Sequence, residues 1–231
     1  MHVQTEEEIN MRSPINSTKA PALALAPTQF SKQHLDLFNQ QLRVYFNTID
    51  SFTNTLLDVN NGSVLSFPHI AALDLTDQYA TANNTPTIVR WDTLDSASGF
   101  ALDPGFYAVA QYSGYYKMDY SLQFANTANA AHEVDVWMRV NNIDVPGSTS
   151  KISLPARKSA LIPSYVLMYS TVPFKVTAGD EIALWWATDQ AYETTGPVDG
   201  VYMEYKAAQT VPYAHPSIPS AIGAITFVSR L

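Results

Sequence analysis

Two clean alternations of apolar and polar positions dominate the middle of the chain. Tyr116, Met118, Tyr120, Leu122 and Phe124 fall on one side, with Lys117, Asp119, Ser121 and Gln123 on the other. Val134, Val136, Met138 and Val140 then alternate with Glu133, Asp135 and Arg139. Successive side chains of a strand point to opposite faces, so period two predicts half-buried strands. A polar loop, Asn126 to Ala131, joins them, and Asn141-Asn142 ends the second, because Asn tolerates the left-handed backbone of a tight reversal. This is antiparallel sheet with one wet and one dry face.

A different period governs residues 31–58. Leu35, Phe38, Leu42, Tyr45, Ile49, Phe52 and Leu56 recur at alternating spacings of three and four, the a/d seam of a heptad repeat. Ser31 is a helix N-cap with Phe30 placed for a hydrophobic staple, and Asn60-Asn61-Gly62 is a stop. Such a helix is about 40 Å long. It serves either as a self-associating stalk or as an amphipathic helix lying on its own domain. A second stripe of Leu37, Val44, Phe46 and Leu57 widens its apolar face.

The remaining pattern predicts further strands. They are Val64 to Phe67, Ile88 to Trp91, Phe100 to Leu102, Phe106 to Gln111, Lys151 to Leu154, Ala160 to Ser170 as a central strand, Val172 to Val176, Glu181 to Ala187, Val201 to Tyr205 and Ala221 to Leu231. Asp103-Pro104-Gly105 and Ala178-Gly179-Asp180 read as turns, and Pro212, Pro216 and Pro219 keep their stretch out of a central sheet. Many strands with no helix between them indicate a sandwich or barrel, and a jelly roll fits the count. The expected organisation is an extended arm at 1–29, a helical stalk at 30–60, a linker with a short strand at 61–86 and a jelly roll at 87–231. Pro14, Pro21 and Pro27 exclude a continuous helix from the arm, which is either a loose tail or a segment that orders on a partner.

Composition narrows the function. A net charge of −8 argues against nucleic acid and against acidic membranes as partners. Without cysteine there is no disulfide or thiolate chemistry. No segment reaches the roughly 20 apolar residues of a membrane span, and the acidic N-terminus does not read as a signal peptide. His2, His34, His69, His132 and His215 stand apart without zinc spacing, and His132-Glu133 reads as a surface pair. Ser96-Ala97-Ser98-Gly99 lacks the glycine-serine elbow of a hydrolase, and no phosphate-cradling glycine loop is present. Asp74, Asp77, Asp92, Asp95 and Asp103 cluster loosely, which makes calcium conceivable, but without a binding-loop spacing. The expectation is no enzyme, no cofactor and no metal.

Several stretches carry a resemblance. Gly114-Tyr115-Tyr116 opening a long strand, Ala178-Gly-Asp-Glu-Ile-Ala-Leu184 and Phe227 to Leu231 resemble the jelly roll shared by tumour necrosis factor and the complement globular heads. Residues 133–147, 178–186, 215–222 and 38–50 resemble structural proteins of marine tailed phages, including cyanophages. Together these cover roughly residues 30 to 231. The resemblance implies a homotrimer with an aromatic-rich sheet around its threefold axis. The expected function is a virion structural protein assembled in the host cytoplasm, a capsid-decoration or head-fibre knob held to other virion proteins by residues 1–29. The alternative is a tail or neck adhesin that binds a host surface protein or glycan. A complement-like module and a carbohydrate-active enzyme with paired carboxylates fit less well. Tyr115, Trp137 and Trp185 fall on nominally polar strand faces, which makes them, with the seven seam residues from Leu35 to Leu56, the expected trimer interface.

Overall fold

A computed structural model describes residues 29, 31–57, 67–103, 105–160, 162–193 and 199–231. The chain divides between Ser66 and Phe67 into two units. In the first, α1 spans Lys32–Leu57. Ser31 caps it as expected: its Oγ accepts from the His34 amide at 3.3 Å, and its carbonyl accepts from the Leu35 amide at 3.1 Å. No acid lies in its first turn and no base in its last, so the helix dipole is uncompensated. A helix of this kind depends on burial of its apolar face. The expected staple at Phe30, the stop at 60–62 and the strand at Val64 to Ser66 lie outside the described residues, as do the side chains of residues 52–57.

The second unit is an antiparallel β-sandwich. Its strands are β1 (His69–Asp74), β2 (Gln78–Tyr79), β3 (Thr87–Ile88), β4 (Thr93–Ser98), β5 (Phe100–Asp103), β6 (Tyr107–Ala110), β7 (Gly114–Asn126), β8 (His132–Val140), β9 (Ile143–Asp144), β10 (Ser150–Leu154), β11 (Ser164–Val176), β12 (Glu181–Thr188), β13 (Val201–Met203) and β14 (Ala221–Ser229). One sheet runs β2-β13-β7-β14-β1-β4, with β11 paired to the free side of β7. The other runs β10-β8-β12-β6-β5, with β3 on β12 and β9 on β8. Strands far apart in sequence are neighbours in both.

The predicted alternation is the sandwich interior. Tyr116, Met118, Tyr120, Leu122 and Phe124 of β7 face Val134, Val136 and Met138 of β8 and Ile182, Leu184 and Trp186 of β12, all buried. Phe124 packs on Trp186 at 5.5 Å, and Tyr116 meets Phe100 edge-on at 5.3 Å. Tyr116 stays inside because its hydroxyl donates to the Tyr112 carbonyl at 2.9 Å. Fully burying a side chain the size of Leu122 contributes about 1.5–3 kcal/mol, and these positions hold the sheets together. Asn141 and Asn142 adopt φ values of 51° and 62°, the left-handed reversal that folds β9 back on β8.

Three expectations are corrected. Part of the expected linker at 61–86 is sheet: β1 pairs with both β14 and β4, and β2 with β13. Pro68 therefore precedes a strand instead of ending one. Exposed β4, with polar residues on both faces, gave no alternation to read. Finally, Ala160 to Ser170 and Val172 to Val176 are not two strands. They form the single strand β11, an edge that among the described residues pairs only with β7. Pro173 fits there because an edge strand leaves backbone donors unpaired. The stretch looks central because both its faces are apolar, although Tyr165, Leu167 and Tyr169 on the outer one are exposed among the described residues.

Candidate functional site

The outer face of the first sheet is broad, aromatic and poor in free charge. β11 contributes Tyr165, Leu167 and Tyr169, the last 66% exposed, and β14 contributes Ile222. Tyr115, one of the expected interface residues, lies on the same face at the start of β7, with Lys175 of β11 5.2 Å from its ring centroid. The charges at its centre are satisfied locally. Lys117 Nζ pairs with Asp119 Oδ2 at 2.8 Å, and Thr171 Oγ1 donates to Asp119 Oδ1 at 2.6 Å. Burial alone would raise the Asp119 pKa, but hydrogen bonds from Lys117, Thr171 and Tyr169 outweigh it and hold the carboxyl below its ordinary value.

A row of tyrosines crosses one end of this sheet. Tyr165, Ala125, Tyr202 and Tyr79 are register neighbours on β11, β7, β13 and β2. Ala125 is on the outer side of β7 yet fully buried. Tyr79, Tyr192 and Tyr202 form a cluster with centroids 4.9–5.6 Å apart. Lys206 Nζ sits 3.9 Å over the Tyr165 ring and 3.1 Å from Glu204 Oε2. Tyr202 donates to Glu204, and Tyr79 to Asp77 at 3.1 Å. Burial, then the Asp77 carboxylate, pushes Tyr79 up to about 12. Burial and Glu204 raise Tyr202 as well.

Trp137 and Trp185 lie elsewhere. They are register partners on β8 and β12, on the outer face of the second sheet. The core of the sandwich separates them from Tyr115, so these three do not form one surface. Between the two indoles lies Arg139, its guanidinium carbon 4.3 Å from the Trp185 centroid and 5.5 Å from that of Trp137. Asp144 Oδ1 accepts from Arg139 Nε at 2.6 Å and from Trp137 Nε1 at 2.8 Å. The Arg139 hydrogen bond, with that of Trp137, holds the Asp144 pKa below its ordinary value.

On α1, the seam residues Phe38, Leu42, Tyr45 and Ile49 are half-buried, and Leu35 is exposed. The second stripe is open: Leu37 is 61% and Val44 60% exposed. Phe52 and Leu56 continue the seam in sequence, but their side chains fall outside the described residues.

Several of the remaining polar candidates have structural partners. His132 pairs with Asp189 Oδ2 at 3.2 Å and not with Glu133, whose carboxylate takes Lys151 Nζ at 2.8 Å. Adjacent strand residues point to opposite faces, so these two neighbours take separate partners. His69 reaches the Phe67 carbonyl and Ser96 Oγ, each at 2.9 Å. Asp74 is buried and accepts from Arg90 Nε at 3.0 Å and the Thr76 amide at 2.8 Å. Asp77 accepts from the Tyr205 amide, and Asp92 from the Leu75 amide. Among the described residues, no group of three or more acidic or histidine side chains is placed to hold a metal ion, and no helix is long and apolar enough to cross a membrane.

Fold and surface thus define an antiparallel β-sandwich with an aromatic outer face. No protein-family model and no curated protein sequence matches the chain.

Proposed function

We propose that the chain is a non-enzymatic virion structural protein, a homotrimer whose 67–231 unit is a jelly-roll knob and whose helix is a three-stranded stalk. In this reading residues 1–29 dock on other proteins of the particle. The observation that carries it is the outer face of the first sheet. Tyr115, Tyr165, Leu167, Tyr169 and Ile222 leave an aromatic surface open to water, while Asp119 and Lys117 neutralise each other. Exposed aromatic surface of this kind marks an interaction site, and aromatic enrichment with few free charges is the composition of an interface centre. A second copy of the same face supplies matching chemistry. The half-buried seam of α1, with an exposed second stripe beside it, suits a bundle wider than two helices. The sheet order, in which distant strands pair, is compatible with a jelly roll. The virion assignment rests on the sequence resemblance.

Light scattering on the full chain is expected to give three times the 25.5 kDa chain mass. Leu167→Asp with Tyr169→Asp places charge on the sheet face, and Leu42→Asp with Ile49→Asp places it in the seam. Each pair is expected to dissociate or unfold the trimer. A wild-type monomer would overturn the trimer, and an antibody to the chain that fails to label purified phage particles would overturn the virion assignment.

A further inference from the structure

The Trp137-Arg139-Asp144-Trp185 group is a built arrangement on a face that the proposed trimer does not use. Its parts come from one short sequence, Trp137-Met-Arg-Val-Asn-Asn-Ile-Asp144, plus one residue of the next strand over. The left-handed turn at Asn141-Asn142 brings Asp144 opposite Arg139 in register. Asp144 then fixes two neighbours at once, because the same Oδ1 accepts from Arg139 and from the Trp137 indole. A planar guanidinium and an indole ring are thereby held in set orientations before anything binds.

What remains unused is as informative. Arg139 spends only Nε on Asp144, so its terminal N–H groups remain as donors. Asp144 is 66% exposed and keeps Oδ2 as an acceptor. Trp185 Nε1 is buried and makes no hydrogen bond, so Trp185 shows ring carbon and not a donor to anything outside. Donor, acceptor and flat apolar surface therefore lie side by side. A pyranose ring presents the matching set: adjacent hydroxyls that both donate and accept, and a face of C–H groups that packs on an aromatic ring.

Charge selects among sugars. Asp144 neutralises Arg139, and Lys151 pairs with Glu133 and Asp135 at 2.8 and 3.5 Å, so that with Glu181 on the same face the acids remain in excess. The chain as a whole carries −8. A carboxylated or sulfated sugar meets net repulsion here, and a neutral one does not. We propose that Trp137, Arg139, Asp144 and Trp185 form a binding site for a neutral hexopyranose or pentopyranose glycan. Arg139 donates to one hydroxyl, Asp144 Oδ2 accepts from its neighbour, and the C–H face lies on the Trp137 indole. The site does not depend on trimer formation or on the virion assignment.

The test is saturation-transfer NMR on the full chain with the methyl glycosides of glucose, galactose, mannose and xylose, and with glucuronate as the anionic probe. Millimolar affinity is expected for at least one neutral glycoside, with transfer concentrated on one ring face. Asp144→Asn removes the charged acceptor and is expected to weaken binding by about tenfold. Trp137→Ala should abolish the transfer, and the melting temperature of each variant separates lost binding from lost fold. Transfer to none of the four glycosides, transfer to glucuronate alone, or binding unchanged in folded Asp144→Asn would each overturn the site.

Discussion

Gly223 shows how one absent side chain organises the core. It lies on the buried side of β14, and a Cβ built there would stand 2.7 Å from the ring tip of Trp91. Trp91 is itself nearly buried and its amide donates to the Gly105 carbonyl at 2.7 Å, so an added Cβ forces the ring to shift within the small apolar cavity that it lines with Ile70, Ala72 and Met118. Gly223→Ala is therefore expected to destabilise the sandwich by about 1–3 kcal/mol, measured by urea unfolding, although alanine is the smallest possible addition. Asn141 and Asn142 work in the opposite sense. Their side chains are tolerated at positive φ, and the Asn141 carboxamide also accepts from the Glu181 amide at 2.9 Å and donates to Asp180 at 2.8 Å. The turn that aims Asp144 at Arg139 is thus also tied to the turn before β12. At this scale the sequence was readable where backbone chemistry is local. The asparagine pair announces a reversal on its own, whereas nothing near Gly223 announces Trp91.

Among the elements, the outer surface of β2, β13 and β11 makes a titratable aromatic row. Burial and neighbouring carboxylates favour the neutral phenols of Tyr79 and Tyr202. For a group whose folded pKa is raised, the contribution to stability is present below the unfolded value and lost as pH rises through the folded one. For Tyr79 that window runs from 10.0 to about 12. Absorbance titration of phenolate is expected to show these two tyrosines ionising late, with the melting temperature falling over the same window. Tyr79→Phe should remove one late-titrating group; an unchanged titration curve would contradict the cluster. None of this was legible beforehand, because Tyr79, Tyr165 and Tyr202 come from three separate segments and meet only through strand pairing. The Trp137-Trp185 pair was half legible. Alternation showed that both point away from the core, but only register shows that they are neighbours and that Tyr115 is on the opposite sheet.

Across the whole sandwich, acid should act through two carboxylates on different sheets. Asp119 is held low by Lys117, Thr171 and Tyr169 against the effect of burial. Asp189 is held low by the Glu133 amide and His132, again against burial. A lowered carboxylate contributes stability above its unfolded pKa, and that contribution disappears as pH falls through the folded value. The melting temperature is therefore expected to drop once pH falls below 3.8, with a shallower acid limb in Asp119→Asn. An acid limb identical to the wild type would remove Asp119 from this account. The two sites lie on opposite sheets and share no partner, so Asp119→Asn and Asp189→Asn should act additively.

By itself, the sequence determined the secondary structure that depends on periodicity and local turns: the capped helix, the interior faces of β7, β8 and β12, and the reversal at Asn141-Asn142. Those signals arise within a few residues, where side-chain alternation and backbone preference act directly. The tertiary structure alone decided which strands are neighbours. That in turn decided that β11 is an edge, that His69–Asp74 belongs to the sheet, that four strands share a tyrosine row, and that Arg139 lies between two tryptophans. Strand pairing depends on side chains far apart in the chain burying surface together, and a local pattern constrains that choice only weakly.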